Sequence, residues 1–197
     1  MMYMHFEEGN LYHIYNQGNN KLNVFHEQEE YIFFLQLIRK NLIPYTDLLA
    51  YCLMPNHFHL MINADKRCKN LIKQGGLFID PITNSFRKTL SSYTHVKNVK
   101  SGNSGSLFRQ KTKAKSLSEM DMMPGDMLHK NDYYQNCFYY IHQNPLKAGL
   151  VSKLIDWPYS SYLDYAGLRS GTLCNKWLAE KFGLFNPKTF SKMCLNF

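Results

Sequence analysis

Residues 47–63 read DLLAYCLMPNHFHLMIN, and the fold turns on how that run is parsed. Asp47 to Met54 is largely apolar, as a buried strand requires, and Pro55-Asn56 turns the chain. His57 to Asn63 forms a second strand, so the two halves make a hairpin. Side chains two apart on a strand share a face. His57 and His59 therefore project together, and Phe58, Leu60 and Ile62 project the other way, to pack under helices. The wider apolar stretch, Ile43 to Ala64, holds Asp47, Pro55, Asn56 and both histidines, which excludes a membrane span.

Working outward, Leu11 to Gly18 (LYHIYNQG) reads as a strand followed by a turn at Asn19-Asn20. Glu27 to Leu42 is a helix. Tyr31, Phe34, Leu35, Ile38 and Leu42 fall at helical spacing, Glu27, Glu29 and Glu30 enrich its first turn, and Pro44 ends it. Asp80-Pro81 starts another, with an N-cap aspartate and a proline at the first helical position, and Ile82, Phe86, Leu90 and Tyr93 mark its buried stripe. The loop SGNSGS (101–106) precedes a strand predicted over Leu107 to Ser116. A loop is predicted over Met120 to Lys130, then a helix over Asp132 to Gln143 whose end is set by Pro145. A short helix near Ser160 to Ala166 and one or two small helices in the tail follow. Strand, helix, strand, strand, helix, strand is a split β-α-β arrangement. The predicted class is α+β: an antiparallel sheet with helices packed on it, ferredoxin-like or RRM-like, plus a C-terminal helical extension. We place the main domain at 1–167 and the extension at 168–197.

The 197 residues include 23 Lys+Arg against 15 Asp+Glu, a formal charge of +8, with 15% aromatics; this balance favours a polyanionic partner. Cys52, Cys68, Cys137, Cys174 and Cys194 contain no C-x-x-C pair, which argues against a zinc ribbon and a secreted disulfide scaffold. Residues 1–10 show neither the basic nor the apolar part of a secretory signal. The expectation is a cytoplasmic protein with reduced thiols.

Three groups of residues bear on chemistry. The imidazoles of His57 and His59 are either a half-site for a divalent metal or two hydrogen-bonded histidines. Tyr140 and Asn144, four apart, share a helix face, while His142 points away from it. The phenol is either a nucleophile beside a supporting amide or one more packed tyrosine among 14. Arg109, Lys111, Lys113 and Lys115 alternate with Gln110, Thr112 and Ala114. They make either a track for a phosphate backbone or an edge strand protected by lysines.

MPNHFHLMI, GSLFRQKTKA and YIHQNPLKAGLV followed by WPYSSYLDYAG resemble the REP-associated tyrosine transposases, within the HUH single-tyrosine transposases. The N-terminal YHIYNQGNNKLNVF fits the same family, so the resemblance runs from about Leu11 to Gly167. It implies the HUH nuclease fold, with His57 and His59 as the histidine pair that binds Mg²⁺ or Mn²⁺. It further implies Tyr140 as nucleophile and Asn144 as the polar position that helps complete the metal site. The implied activity is cleavage and rejoining of single-stranded or hairpin DNA through a 5′-phosphotyrosine, by a nucleoid-associated monomer or homodimer. Leu117 to Lys130 is longer than the family's usual connection before the tyrosine helix. Two other readings stand beside this one. One is a nucleic-acid-binding protein or repressor that keeps the fold without catalysis. The other is a replication initiator or relaxase, disfavoured because 197 residues leave no room for helicase or primase domains.

Overall fold

The computed structural model describes residues 5–118 and 130–196. The hairpin that decides the fold forms as read: β2 (Asp47–Met54) and β3 (His57–Asn63) pair antiparallel around Pro55-Asn56. Strand β1 (Leu11–Gln17) pairs antiparallel with the other edge of β3, so β1 and β2 run parallel with β3 between them. The split β-α-β expectation is met. Helix α1 (Gln28–Asn41) crosses from β1 to β2; Glu27 caps it and Glu30 closes a capping box with it.

A short hairpin, β4 (Ile72–Gln74) and β5 (Leu77–Ile79), stands apart from the main sheet. Gly75 and Gly76 turn it with φ of +56° and +81°. A two-residue turn with both φ values positive twists with its strands, and glycine reaches it without strain. Helix α2 (Pro81–Ser101) begins as expected: Asp80 accepts from the backbone amides of Ile82 (2.8 Å) and Thr83 (3.0 Å). Strand β6 (Lys113–Ser116) closes the sheet in the order β2-β3-β1-β6.

One face of the sheet meets α1 and α2. Phe58, Leu60 and Ile62 are fully buried there, with Phe34 of α1 5.3 Å from both Phe58 and Tyr93 of α2 between ring centroids. Helix α3 (Lys130–Lys147) packs on the opposite face, over β2 and β3, leaving β1 and β6 more open. The outer edge of β2 is covered by residues 159–175, with amide hydrogen bonds Leu53 to Tyr159, Ser161 to Tyr51 and Asn175 to Leu48. Arg169 holds that segment down through the buried Asp164 (2.6 and 2.9 Å) and the Tyr51 hydroxyl (2.8 Å). The small helices α4 (Tyr162–Tyr165), α5 (Lys176–Lys181) and α6 (Phe190–Asn196) follow, and Phe190 of α6 packs on Phe138, Tyr139 and His142 of α3. No helix among the described residues is long and apolar enough to cross a membrane.

Two predicted elements need correction. The strand over Leu107 to Ser116 survives only as Lys113–Ser116. Tyr12 faces Ser116 and Tyr15 faces Lys113, a register that would put Gln110 opposite Gly18, yet Phe108 stands there. Two extra residues have entered the edge strand. The buried Asn16 side chain takes over the interrupted ladder, its amide donating to the Arg109 carbonyl (3.1 Å) and the Thr112 hydroxyl (2.9 Å). The helix expected to end before Pro145 runs to Lys147. Proline there forfeits one helical N–H, and the helix stops one turn later at Gly149, φ +67°. The loop predicted over 120–130 lies, except for Lys130, outside the described residues.

His142 ties α3 to the covering segment and makes stability pH-dependent. Its Nδ1–H donates to the Phe138 carbonyl (2.8 Å), so Nε2 accepts from the Ser161 hydroxyl (2.7 Å). Complete burial pushes its pKa from 6.5 down to about 3. The unfolded chain takes up a proton below 6.5 that the folded chain refuses, so stability falls as pH drops from 6.5 through about 3. The loss is on the order of 5 kcal/mol over the full window. Urea unfolding across that range should show it, with a smaller pH-dependent loss in His142→Gln; identical pH slopes in the two proteins would contradict the assignment.

Candidate active site on the open sheet face

The face opposite α1 and α2 is built by strand register. Tyr15 of β1 lies beside His59 of β3, and Gln17 beside His57; on the other side Tyr15 faces Lys113 of β6. Residues of one parity thus form a continuous row across three strands. Tyr15, Gln17, His57, His59 and Tyr140 line a cavity of about 240 Å³ on this face. Arg109, Lys111 and Lys113 line its remaining wall, the first two carried inward by the two-residue bulge.

A hydrogen bond specifies the protonation of His57, and a neighbouring ring holds His59 in place. Asn56 donates its amide Nδ2 to the Lys21 carbonyl (3.1 Å), which fixes which end of the amide is oxygen. That oxygen lies 2.5 Å from His57 Nδ1, and because it only accepts, Nδ1 carries the proton and Nε2 keeps its lone pair. His59 is held at Nδ1 as well, 2.9 Å from Nε2 of His13 on β1, with the rings stacked at 5.1 Å. Burial lowers the pKa of all three. His59 is pushed down to about 2 by burial and then by His13 and His57; His13 falls to about 4 by burial and then by Lys115. His57 is lowered by burial. All three are therefore neutral at physiological pH, the form in which imidazole binds a metal.

Tyr140 projects from α3 over this pair. Its ring centroid lies 5.5 Å from that of His59 and 6.0 Å from that of His13, edge-on to both, and the residue is 40% exposed. Partial burial raises the phenol pKa and a hydrogen bond from the Asn144 side chain opposes the rise. Asn144 also donates to the Tyr140 carbonyl (2.8 Å), and Lys147 places Nζ 6.0 Å from the ring centroid. The neighbouring Tyr139 is 2% exposed and stacks on Phe190 in the core.

The structure thus brings Tyr140, His57, His59, Arg109, Lys111 and Lys113 to one cavity. Asn144 stands one helical turn beyond Tyr140, and Lys115 turns away to place Nζ 5.3 Å from the centroid of the Tyr133 ring. Sequence reading overlooked His13, Tyr15 and Gln17. The alternation that singled out His57 and His59 was equally present in LYHIYNQ, where Tyr12 and Ile14 are buried and His13, Tyr15 and Gln17 share the other face. Lys147, seven residues beyond Tyr140 and hence on its helix face, was also overlooked.

Two neutral imidazoles on one strand face fit a divalent metal: Asn56 holds the His57 proton on Nδ1 as the outer partner of a metal-binding histidine does, and His59 presents Nε2 in the tautomer whose Nδ1–H donates to His13. Among the described residues no three His, Cys, Asp or Glu side chains gather to hold a metal ion. Asn144 lies one helical turn from Tyr140 on the same helix, and its side-chain oxygen is a candidate further donor.

No protein-family model matches the chain, and no curated protein matches it in sequence. Among solved structures it is similar to that of a REP-associated tyrosine transposase bound to a REP hairpin. The TM-score is 0.55 and the identity 14%, over 95% of this chain and 88% of that one. What the two share is the fold, a mixed α/β architecture with an antiparallel sheet and helices packed against it.

Proposed function

We propose that this protein is a metal-dependent DNA strand transferase that cleaves and rejoins single-stranded or hairpin DNA through a 5′-phosphotyrosine. The observation that carries the reading is the meeting, in one cavity, of a half-exposed tyrosine, a neutral histidine pair and three cations. The Tyr140 oxygen attacks phosphorus and the bond from phosphorus to the 3′ oxygen breaks. The phenol gives up its proton to solvent and the departing 3′ oxygen takes one up. Bond number is conserved, so the free 3′ hydroxyl can reverse the step and rejoin strands. His57 and His59 would hold Mg²⁺ or Mn²⁺, with Asn144 as a further donor, and the cation supplies charge to polarise the phosphate. A tyrosine whose pKa is raised by burial needs such help to ionise near neutrality. The solved structure of similar fold is bound to a DNA hairpin, which makes a hairpin the first substrate to try.

The test is a labelled hairpin oligonucleotide incubated with Mn²⁺ or Mg²⁺ and run on a denaturing gel. A covalent protein–DNA band supports the reading. Tight binding without cleavage or adduct overturns the catalytic part and leaves a nucleic-acid-binding protein.

The cations belong to the same proposal. Edge protection accounts for Lys113 on β6, but Lys111 lies in the bulge between the β6 ladder and the Gly18–Phe108 bridge, outside the ladder. Lys111→Ala with Lys113→Ala should weaken DNA binding and lower the log–log salt slope by roughly 0.7 for each lost phosphate contact. An unchanged slope would leave these lysines without a role on DNA.

A further inference from the structure

We infer that the open face of β1 carries a nucleobase subsite, in which Tyr15 stacks on one unpaired base and Gln17 reads that base's edge. This rests on the reading of the cavity as a DNA site and names what part of the strand the cavity grips. Tyr15 is 36% exposed although it sits on an interior strand of the sheet, because α3 covers β2 and β3 and stops short of it. Its ring is tilted against His13 (5.0 Å) and His59 (5.9 Å), which fixes its orientation while leaving part of its surface to solvent.

Three further observations point to a base as the occupant. Tyr15 stands between Lys113 on one neighbouring strand and His59 on the other, so a stacked base would sit between a cation and the histidine pair. Arg109 and Lys111 rim the same cavity, where they can hold the phosphates on either side of that base. Gln17, two residues along and on the same face, lines the cavity too, and its side-chain amide makes no hydrogen bond among the described residues. A carboxamide carries both a donor and an acceptor and matches the edge of a base. An aromatic face accepts any base, so Tyr15 supplies affinity and Gln17 discrimination. The subsite therefore holds the nucleotide next to the scissile phosphate.

The experiment uses the full chain and a hairpin oligonucleotide with an unpaired flank, in which aminopurine or an abasic site replaces one flank nucleotide at a time. Wild-type protein should quench aminopurine at one position, and an abasic site there should weaken binding roughly five- to 150-fold. Tyr15→Leu, which keeps apolar bulk without a π face, should lose the quench and bind intact and abasic oligonucleotides alike. Tyr15→Phe should behave as wild type. Gln17→Ala should keep the quench and lose preference among bases at that position. If the abasic penalty persists undiminished in Tyr15→Leu, or no flank position is quenched by wild type, the subsite is wrong. Adduct formation by Tyr15→Leu at high oligonucleotide concentration is read separately: its presence keeps the strand-transferase reading whatever becomes of the subsite. A wild-type protein that binds no single strand and forms no adduct overturns both.

Discussion

Tyr140→Phe should abolish the covalent protein–DNA product while leaving hairpin binding nearly intact. The substitution removes one oxygen and keeps the ring, so the edge contacts with His59 and His13 and the cavity wall persist. With the attacking atom gone, the loss is of the scale seen when an enzyme's nucleophile is deleted, on the order of 10⁶ in rate. Tyr139 provides the comparison within the same helix. It lies about 100° around from Tyr140, is buried against Phe190, and cannot reach the cavity. Tyr139→Phe should retain the adduct. An adduct formed by Tyr140→Phe, or one lost only in Tyr139→Phe, would show that another group attacks phosphorus.

The contrast between these adjacent tyrosines shows what the chain discloses before it is folded. Helical spacing separates their directions, but only the packing of α6 decides that Tyr139 faces the core and Tyr140 the cavity. The hairpin of β2 and β3 was legible because its apolar run and its alternation are local signals, and the same holds for the cap of α2 at Asp80. The bulge over Arg109 to Thr112 was not. It depends on Asn16, more than ninety residues earlier, and one side chain's capacity to replace ladder hydrogen bonds leaves no periodic trace. The hairpin of β4 and β5 did leave one, Gly75-Gly76 between short apolar segments, which the reading passed over. His13 illustrates a third case. Its alternation was visible on β1, but its meaning arises only when β1 lies against β3 and places one ring nitrogen 2.9 Å from His59.

That second layer of contacts sets the remaining expectation, in which metal binding is measured apart from cleavage. His57→Ala and His59→Ala should each abolish DNA cleavage and remove Mn²⁺ binding in the absence of DNA, followed by electron paramagnetic resonance. Cleavage fails here for want of charge on the phosphate rather than for want of an attacking group. Tyr140→Phe should therefore bind Mn²⁺ as wild type does, which separates the two causes. Asn56→Ala tests the protonation assignment itself. It leaves both proposed ligands in place but removes the oxygen that holds the His57 proton on Nδ1, so His57 is free to protonate Nε2 instead. Losing such an outer partner typically weakens metal affinity by about 10- to 100-fold, well short of losing a ligand. Mn²⁺ affinity in His57→Ala equal to wild type would place the metal elsewhere. A defect in Asn56→Ala as severe as in His57→Ala would mean that Asn56 does more than orient its neighbour. The graded order, with wild type binding best, Asn56→Ala intermediate and the histidine variants not at all, is what two strand histidines held through their far nitrogens require.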